Sequence, residues 1–458
     1  SALLKRGAFA ATTDKVSLAR RVLDHATRGA QLRPDPHGGP SLSSSTRLFV
    51  PTAFGGDPSG ATDSTNALIA ARDASMKAFG EPMAEGIVSL GGAGVDLAGG
   101  AYLTSAPLTW PGLVGDVTAL TGGTLTASST FPRGNYVVEI GDADCDAGVQ
   151  GSCNEFVSLT SIFIDAGRVA AGCVRIIDTM GATVTDAFFV GFVEAGLRVD
   201  GGHETLLSDA WLAEVYWDDD PPGNSSSVGV LLDGNDHSLD NVVLFDYATV
   251  GVVVNNPAAV LSNVHSWNGG GVGIRLNADQ ARLEHCYLDY DTLEIAVCDQ
   301  VVVQDTFFLA TYAAITGDAA TACSGLRMRH NTFAGLDGPS VRVVESNPST
   351  SRVVDSSTKI ADDVVIEDDA GDHVVSTTVR KAVDLAPYRA VPVALDFADD
   401  LAFPEIDYVQ ITGLANDTHA CLSPADTGWS IVNGTTLLFE NPSLLDGCTT
   451  LFVEVRQG

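Results

Sequence analysis

The sequence predicts an all-β chain built as a parallel β-helix, and three observations carry that prediction. One phrase recurs from Asp186 to His330, as VTDAFF, LSDAWL, LDNVVL, LSNVHS, LEHCYL, VQDTFF and MRHNTF. Its polar marker falls at Asp186, Asp209, Asn241, Asn263, His285, Asp305 and His330, in steps of 23, 32, 22, 22, 20 and 25 residues. A second phrase lies between copies of the first, as GLRVD at 196–200, GVLLD at 229–233, GVVVN at 251–255 and GIRLN at 273–277. Heptads, helical periods and hairpin turn pairs are absent from this stretch. Two short β-rich phrases in each period of roughly 22 residues mark a stacked solenoid, whose coils bury their apolar faces only against their neighbours.

The elements follow in order. Residues 1–47 form an N-terminal extension, in which 15–29 have amphipathic helical spacing and 32–47 are rich in Pro, Gly and Ser. The solenoid occupies 48–382. At its start, LFVPTAFGGDPSGATDSTNAL predicts a strand, a tight turn and a helix capped by Asp63 or Ser64 that runs to about Phe79. A solenoid end exposes apolar core and unpaired strand edges, so a covering helix is required there. Residues 383–458 give short strands separated by Pro, Gly and Asn, a small C-terminal β module.

Alternation sets the phase of each coil. Leu207, Leu239, Leu261, Leu283 and Val303 precede the marker by two residues and are expected to point inward. Ala210, Val242, Val264, Cys286 and Thr306 follow the marker directly and are expected to do the same. The marker is then a corner, where stacked Asn and Asp side chains bond one another along the axis.

Charge excludes some partners. The chain has 25 Lys+Arg against 58 Asp+Glu, a net charge of −33. Nucleic acid and anionic membrane surfaces need a basic footprint that is missing here. No run of 18 apolar residues exists, so no membrane span is predicted. Cys298 and Cys323 each lie seven residues before a marker, which places them in one column of adjacent coils, within disulfide reach. Cys145 and Cys153 bracket a short loop, Cys421 and Cys448 fall in the C-terminal module, and Cys286 reads as a buried thiol. Asn224, Asn416 and Asn433 begin glycosylation sequons. Together these features predict a secreted, oxidised protein, whose signal segment is absent from this sequence.

Register also places the candidate chemistry. Glu204 lies five residues before Asp209 and Asp236 five before Asn241, so the two carboxylates share a column on neighbouring coils. Asp200 and Asp233 end their GxxxD phrases as a second stacked pair. His203 stands over Asn235, with His237 following, and Arg198 and Arg275 hold equivalent outward positions expected two coils apart. Adjacent carboxyls do not ionise independently, and a protonated and an ionised carboxyl together supply the acid and base of glycoside hydrolysis. In this reading either Asp236 or Glu204 is the general acid and its stacked partner the base, while Asp233 and Asp200 hold water and sugar hydroxyls. His203 orients a carboxylate, and Arg198, Arg275, His237 and Asn235 bind a polysaccharide substrate. The same oxygens could instead form a solvated turn or hold calcium; no other cofactor is expected. A rival cluster lies past the corner, where Glu214 stacks with Asp246 beside His265, Trp267 and Asp289, below the acidic insertion at 217–227.

At GGHETLLSD, GNDHSLDNVVLF, VHSWNGGGVGI and EHCYLDY, the chain resembles the QUARTET-type polygalacturonases of plant pollen-cell separation. The opening FGGDPSGATDSTNAL is similar to that of the wider pectate-lyase-like β-helix superfamily. The resemblance implies a right-handed parallel β-helix that hydrolyses α-1,4-linked galacturonan of cell walls, with inversion, and that could assemble as a homotrimer. The Asn-Thr-Asp, Asp-Asp, Gly-His-Gly and Arg-Ile-Lys motifs of ordinary polygalacturonases are absent, so their catalytic residues do not transfer. Two other classes stay open: a non-catalytic carbohydrate-binding or matrix solenoid, and a lyase or glycosyl-transferring enzyme. A lyase base would have to be Arg or His, because none of the five lysines lies between residues 78 and 358.

Overall fold

The computed structural model describes residues 47–343 except 79, 84–85, 143–152, 215–225 and 317–324. It also describes 365–367, 370–371, 378–384, 393–397, 401, 406, 408–415, 429–439 and 448–456. The expected N-terminal helix, the insertion at 217–225, Asn224, Asn416, Cys145, Cys323 and Cys421 lie outside these residues. The chain divides between Ile274 and Arg275 into two compact units.

In the first unit the expected parallel coils are present. Thr183–Val190, Leu206–Ala213 and Ser238–Phe245 stack in register, with Val184 over Leu207 and Leu207 over Leu239. A second stack carries Tyr136–Ile140, Gly172–Ile177, Ala195–Asp200, Val228–Leu232 and Val250–Val254. A helix, α1 (Thr65–Ala78), covers the first coils through buried Leu68, Ala71 and Ser75, a one-sided helical spacing. Asp63 caps it, its Oδ1 accepting from the Thr65 N–H at 3.0 Å while Ser105 Oγ donates to Oδ2 at 2.5 Å.

The inward phase holds at every position assigned to it. Leu207, Leu239, Leu261, Leu283 and Val303 are buried, and so are Ala210, Val242, Val264, Cys286 and Thr306. Each of the seven markers has left-handed backbone, with φ between 51° and 57°. That conformation favours Asn, Asp and His over other residues with a Cβ, which explains the composition of the column. The ladder is present in part: Asn241 Nδ2 donates to Asp209 Oδ1 at 2.7 Å, whereas Asn263 Nδ2 donates to Asp240 Oδ1 at 2.8 Å and Asp186 Oδ2 accepts from Ser161 Oγ at 2.9 Å.

The second unit has the same type of coil. Arg282–Glu284, Val302–Gln304 and Arg327–Arg329 stack in parallel, as do Tyr287–Asp289, Phe307–Leu309 and Thr332–Ala334. Two antiparallel three-stranded sheets follow. One joins Thr378–Asp384, Tyr408–Ala415 and Cys448–Arg456; the other joins Val393–Asp396, Trp429–Val432 and Thr436–Phe439. Phe397, Leu437, Phe439, Val453 and Val455 form a core for this module. Its first strand begins at Thr378, ahead of residue 383, because antiparallel pairing to the last strand starts there. Cys153 and Cys298 are buried, Cys286 is a buried thiol, and Asn433 is exposed in a tight turn.

Candidate active site

The turns that leave the second stack of the first unit carry the candidate residues. Leu197, Arg198 and Val199 pair with Val230, Leu231 and Leu232, so Asp200 and Asp233 leave their strands on adjacent coils. Further on, His203 pairs directly with Asn235. The count between these points differs by one, because coil 200–204 reads DGGHE where coil 233–236 reads DGND. Two glycines, Gly201 and Gly202, take up the extra residue. Gly234 faces them closely: a Cβ on Gly234 would lie 2.4 Å from the Gly202 carbonyl oxygen and 2.7 Å from His237 Nε2.

Glu204 and Asp236 share a column, as the pairing of Leu206 with Ser238 requires, and both are exposed. Each has a neighbour that orients it. His203 Nδ1 is hydrogen-bonded to Glu204 Oε2, and Asn235 Nδ2 donates to Asp236 Oδ2 at 2.6 Å. Asp233 keeps one bond to a side chain, accepting from Asn255 Nδ2 at 2.9 Å.

Asp200 is different. Arg175 Nε and Arg198 Nε each donate to one of its oxygens at 2.6 Å, so this carboxylate is clamped between two guanidiniums. Arg198 is therefore committed to a protein carboxylate rather than presented free to a uronate. In the sequence the phrase holding Arg275 (273–277) is the third after the one holding Arg198 (196–200), which corrects the expected two. Arg275, in the second unit, is likewise paired, with Glu294 at 2.6 Å.

His237, expected at the substrate, is wholly buried. Its Nε2–H donates to the Asp233 carbonyl at 2.7 Å, and its Nδ1 accepts from the Thr205 N–H at 3.1 Å. Burial pushes this imidazole below its ordinary value, in keeping with a neutral ring that uses one nitrogen as donor and the other as acceptor. Its place is inside the turn, holding the backbone that carries Asp233 and Glu204.

Arg175 and Asp178 complete the arrangement and are missing from the sequence candidates. A step of 23 residues back from Arg198 and from Gly201 reaches them, since GCVRIID is an earlier and looser copy of the GLRVD phrase. Asp178 donates its N–H to the Asp200 carbonyl at 2.9 Å. Its carboxyl leans over Gly201, where a Cβ would meet Oδ1 at 2.1 Å. Burial pushes the Asp178 carboxyl above the ordinary range, and the Asp200 charge beside it adds to the effect.

The rival cluster is divided between the units. In the first, Glu214 and Asp246 stack as expected, with the Glu214 N–H donating to the Asp246 carbonyl at 3.2 Å. Glu214 is fully buried, and its oxygens accept from Arg168 Nη2 at 3.1 Å and from Ser227 Oγ. It is a buttress for the chain around Ser227, whose Oγ also accepts from the Ala248 N–H at 2.9 Å. His265 is half-buried and Trp267 exposed. Asp289 lies in the second unit, where burial pushes its carboxyl up. Among the described residues no group of three or more His, Cys, Asp or Glu side chains converges as a cation site.

The chain is 29% identical over 466 aligned residues to polygalacturonase QRT3 of Arabidopsis thaliana, which spans 97% of this chain and 90% of that protein. The chain is similar to the QUARTET-type polygalacturonases. No family model matches it. The solved structure of PfbA, a surface adhesin of Streptococcus pneumoniae, superposes with a TM-score of 0.52 at 14% identity, covering 86% of this chain and 98% of that one. The tailspike protein gp49 of Pseudomonas phage LKA1 covers 89% of this chain at 12% identity, with a TM-score of 0.44. PfbA speaks for the β-helix fold alone, whereas QRT3 extends the resemblance along nearly the whole chain.

Proposed function

We propose that the protein is a secreted glycoside hydrolase that cleaves a cell-wall galacturonan at the turns bearing Asp178, His203, Glu204, Asn235 and Asp236. The observation that carries this reading is a half-buried carboxyl, Asp178, raised above the ordinary range one coil before two exposed and individually oriented carboxylates. Similarity to a polygalacturonase over nearly the full chain supports it.

Hydrolysis of a glycosidic bond needs a proton for the leaving oxygen and a base that activates water. Asp178 is the general acid, because burial and the Asp200 charge favour its protonated form. Glu204 and Asp236 are the base side: His203 holds the first and Asn235 the second, each leaving an oxygen for water. Asp233 positions water or a sugar hydroxyl. Asp200, clamped by Arg175 and Arg198, supplies the fixed negative charge that keeps the Asp178 proton in place. His237 is a positioning residue beneath the turn.

The test is release of new reducing ends from polygalacturonate. Asp178→Asn is expected to lower kcat by about 10²-fold or more with an intact fold. In the wild type, activity should fall as pH rises through the raised Asp178 value, and that limb should vanish from the residual activity of the variant. Unchanged kcat in Asp178→Asn, together with unchanged kcat in the double variant Glu204→Gln, Asp236→Asn, would remove this site from consideration.

A further inference from the structure

The corner that carries Glu204 and Asp236 begins three coils before Glu204. Register pairs on either side place Asp116, Phe156, Gly181, Glu204, Asp236 and Ala258 in one column. All six have left-handed backbone, with φ of 51°, 54°, 65°, 56°, 58° and 59°. Five of them are what such a corner tolerates: a glycine, small residues or short polar ones, and a glutamate held by His203. Phe156 is the exception. A bulky aromatic at positive φ is an outlier that the coil itself does not require.

Packing does not account for it either. Phe156 is 55% exposed, whereas the inward phenylalanines Phe189, Phe192 and Phe308 are fully buried. Its ring reaches along the axis toward Glu204 rather than into the core: a Cβ on Gly181 would lie 3.0 and 3.2 Å from ring atoms Cδ1 and Cε1. Gly181 thus leaves room for an aromatic plate to lie across the coil between Phe156 and Glu204. One coil spans about 4.8 Å, so the plate ends close to the carboxylate pair. On the far side Asp116 is exposed and accepts from Ser89 Oγ at 3.3 Å, which leaves further oxygen lone pairs for hydroxyl groups.

We propose that Phe156 is a sugar-stacking platform, with Asp116 beside it, that takes a pyranose ring of the polysaccharide chain running along this corner into the bond-cleaving turn. The C–H face of the sugar lies on the ring, and its hydroxyls donate to the Asp116 carboxylate. Among the described residues the ring lies over Gly181 and outside the core, and such a ligand explains an exposed aromatic at positive φ there. The proposal rests on the hydrolase reading for the direction of the chain, and its test separates the two.

The experiment compares wild type, Phe156→Ala and Phe156→Tyr in kcat/KM on polygalacturonate, in thermal unfolding, and in retardation by polygalacturonate in an affinity gel. Phe156→Ala is expected to lose about tenfold in kcat/KM, mainly through KM, with an undiminished melting temperature. Phe156→Tyr should retain most of the activity. Wild-type kcat/KM and retardation in Phe156→Ala would overturn the platform. A wild type that is retarded without cleaving would sink the hydrolase reading alone; loss of retardation in Phe156→Ala would then support the platform and unchanged retardation would overturn it. A wild type that neither cleaves nor is retarded overturns both.

Discussion

Asp178 and His237 show how single residues divide the work at these turns. His237 is fully buried, bonded at both nitrogens and neutral, so it contributes to the shape of the turn and not to its charge. Asp178 is half-buried with a raised carboxyl, at a cost in stability. Its folded-state pKa is raised, so the unfolded chain releases the proton at lower pH than the folded chain does. Stability from this group is fully present below the ordinary carboxyl range and is lost as pH rises through the raised value. Asp178→Asn, which cannot ionise, should therefore melt higher than wild type at about pH 7, with the gap closing toward about pH 3.5. Thermal unfolding at the two pH values checks this. A variant that melts lower at neutral pH would mean the carboxylate is paired in the folded state, and its role as acid would fall with that result.

At the scale of the element, the turn is a backbone problem solved by glycine. The corners tolerate residues with a Cβ at φ near 55°, as the seven markers demonstrate. Gly234 sits at φ 112°, beyond that well, and faces backbone oxygens of the neighbouring coil. Gly134 also has positive φ, at 85°, but a Cβ there would meet nothing within 4 Å. Gly134→Ala should cost about 1–2 kcal/mol from conformation alone. Gly234→Ala adds a clash with Gly202 and His237 and should cost several kcal/mol, or shift the turn and abolish activity. Denaturant unfolding of the two variants separates the effects; equal losses would show that the coils shift apart freely.

The same element shows what the sequence made legible. Period and alternation place Leu207, Ala210 and their column-mates in the core, since a one-residue slip would turn every side chain over. They also place Glu204 with Asp236 and His203 with Asn235, because stacking in register is the only way these coils bury their faces. Asp178, Arg175 and Phe156 escaped because their coils precede the clear repeat and keep the spacing without the wording. The fate of the arginines escaped for another reason. Register says that Arg198 points outward from its strand, but the choice between a substrate carboxylate and Asp200 depends on a turn whose shape two glycines decide.

At the scale of the whole molecule, the net charge of −33 opposes the substrate proposed for it. Polygalacturonate is a polyanion, and three described arginines of the first unit, Arg168, Arg175 and Arg198, are each engaged with a carboxylate. Short-range contacts at Phe156 and hydrogen bonds in the turn must then hold the chain against a long-range field. Such a field reaches about 30 Å at 0.01 M salt and about 8 Å at 0.15 M. The KM for polygalacturonate is therefore expected to fall several-fold as salt rises over this range, with kcat nearly constant, because screening assists the approach of substrate and not the bond-breaking step. An enzyme that grips its substrate mainly through free guanidiniums would show the reverse, a KM that climbs with salt. Steady-state kinetics across that range decides between the two, and a rising KM would return Arg198 to the substrate as a ligand.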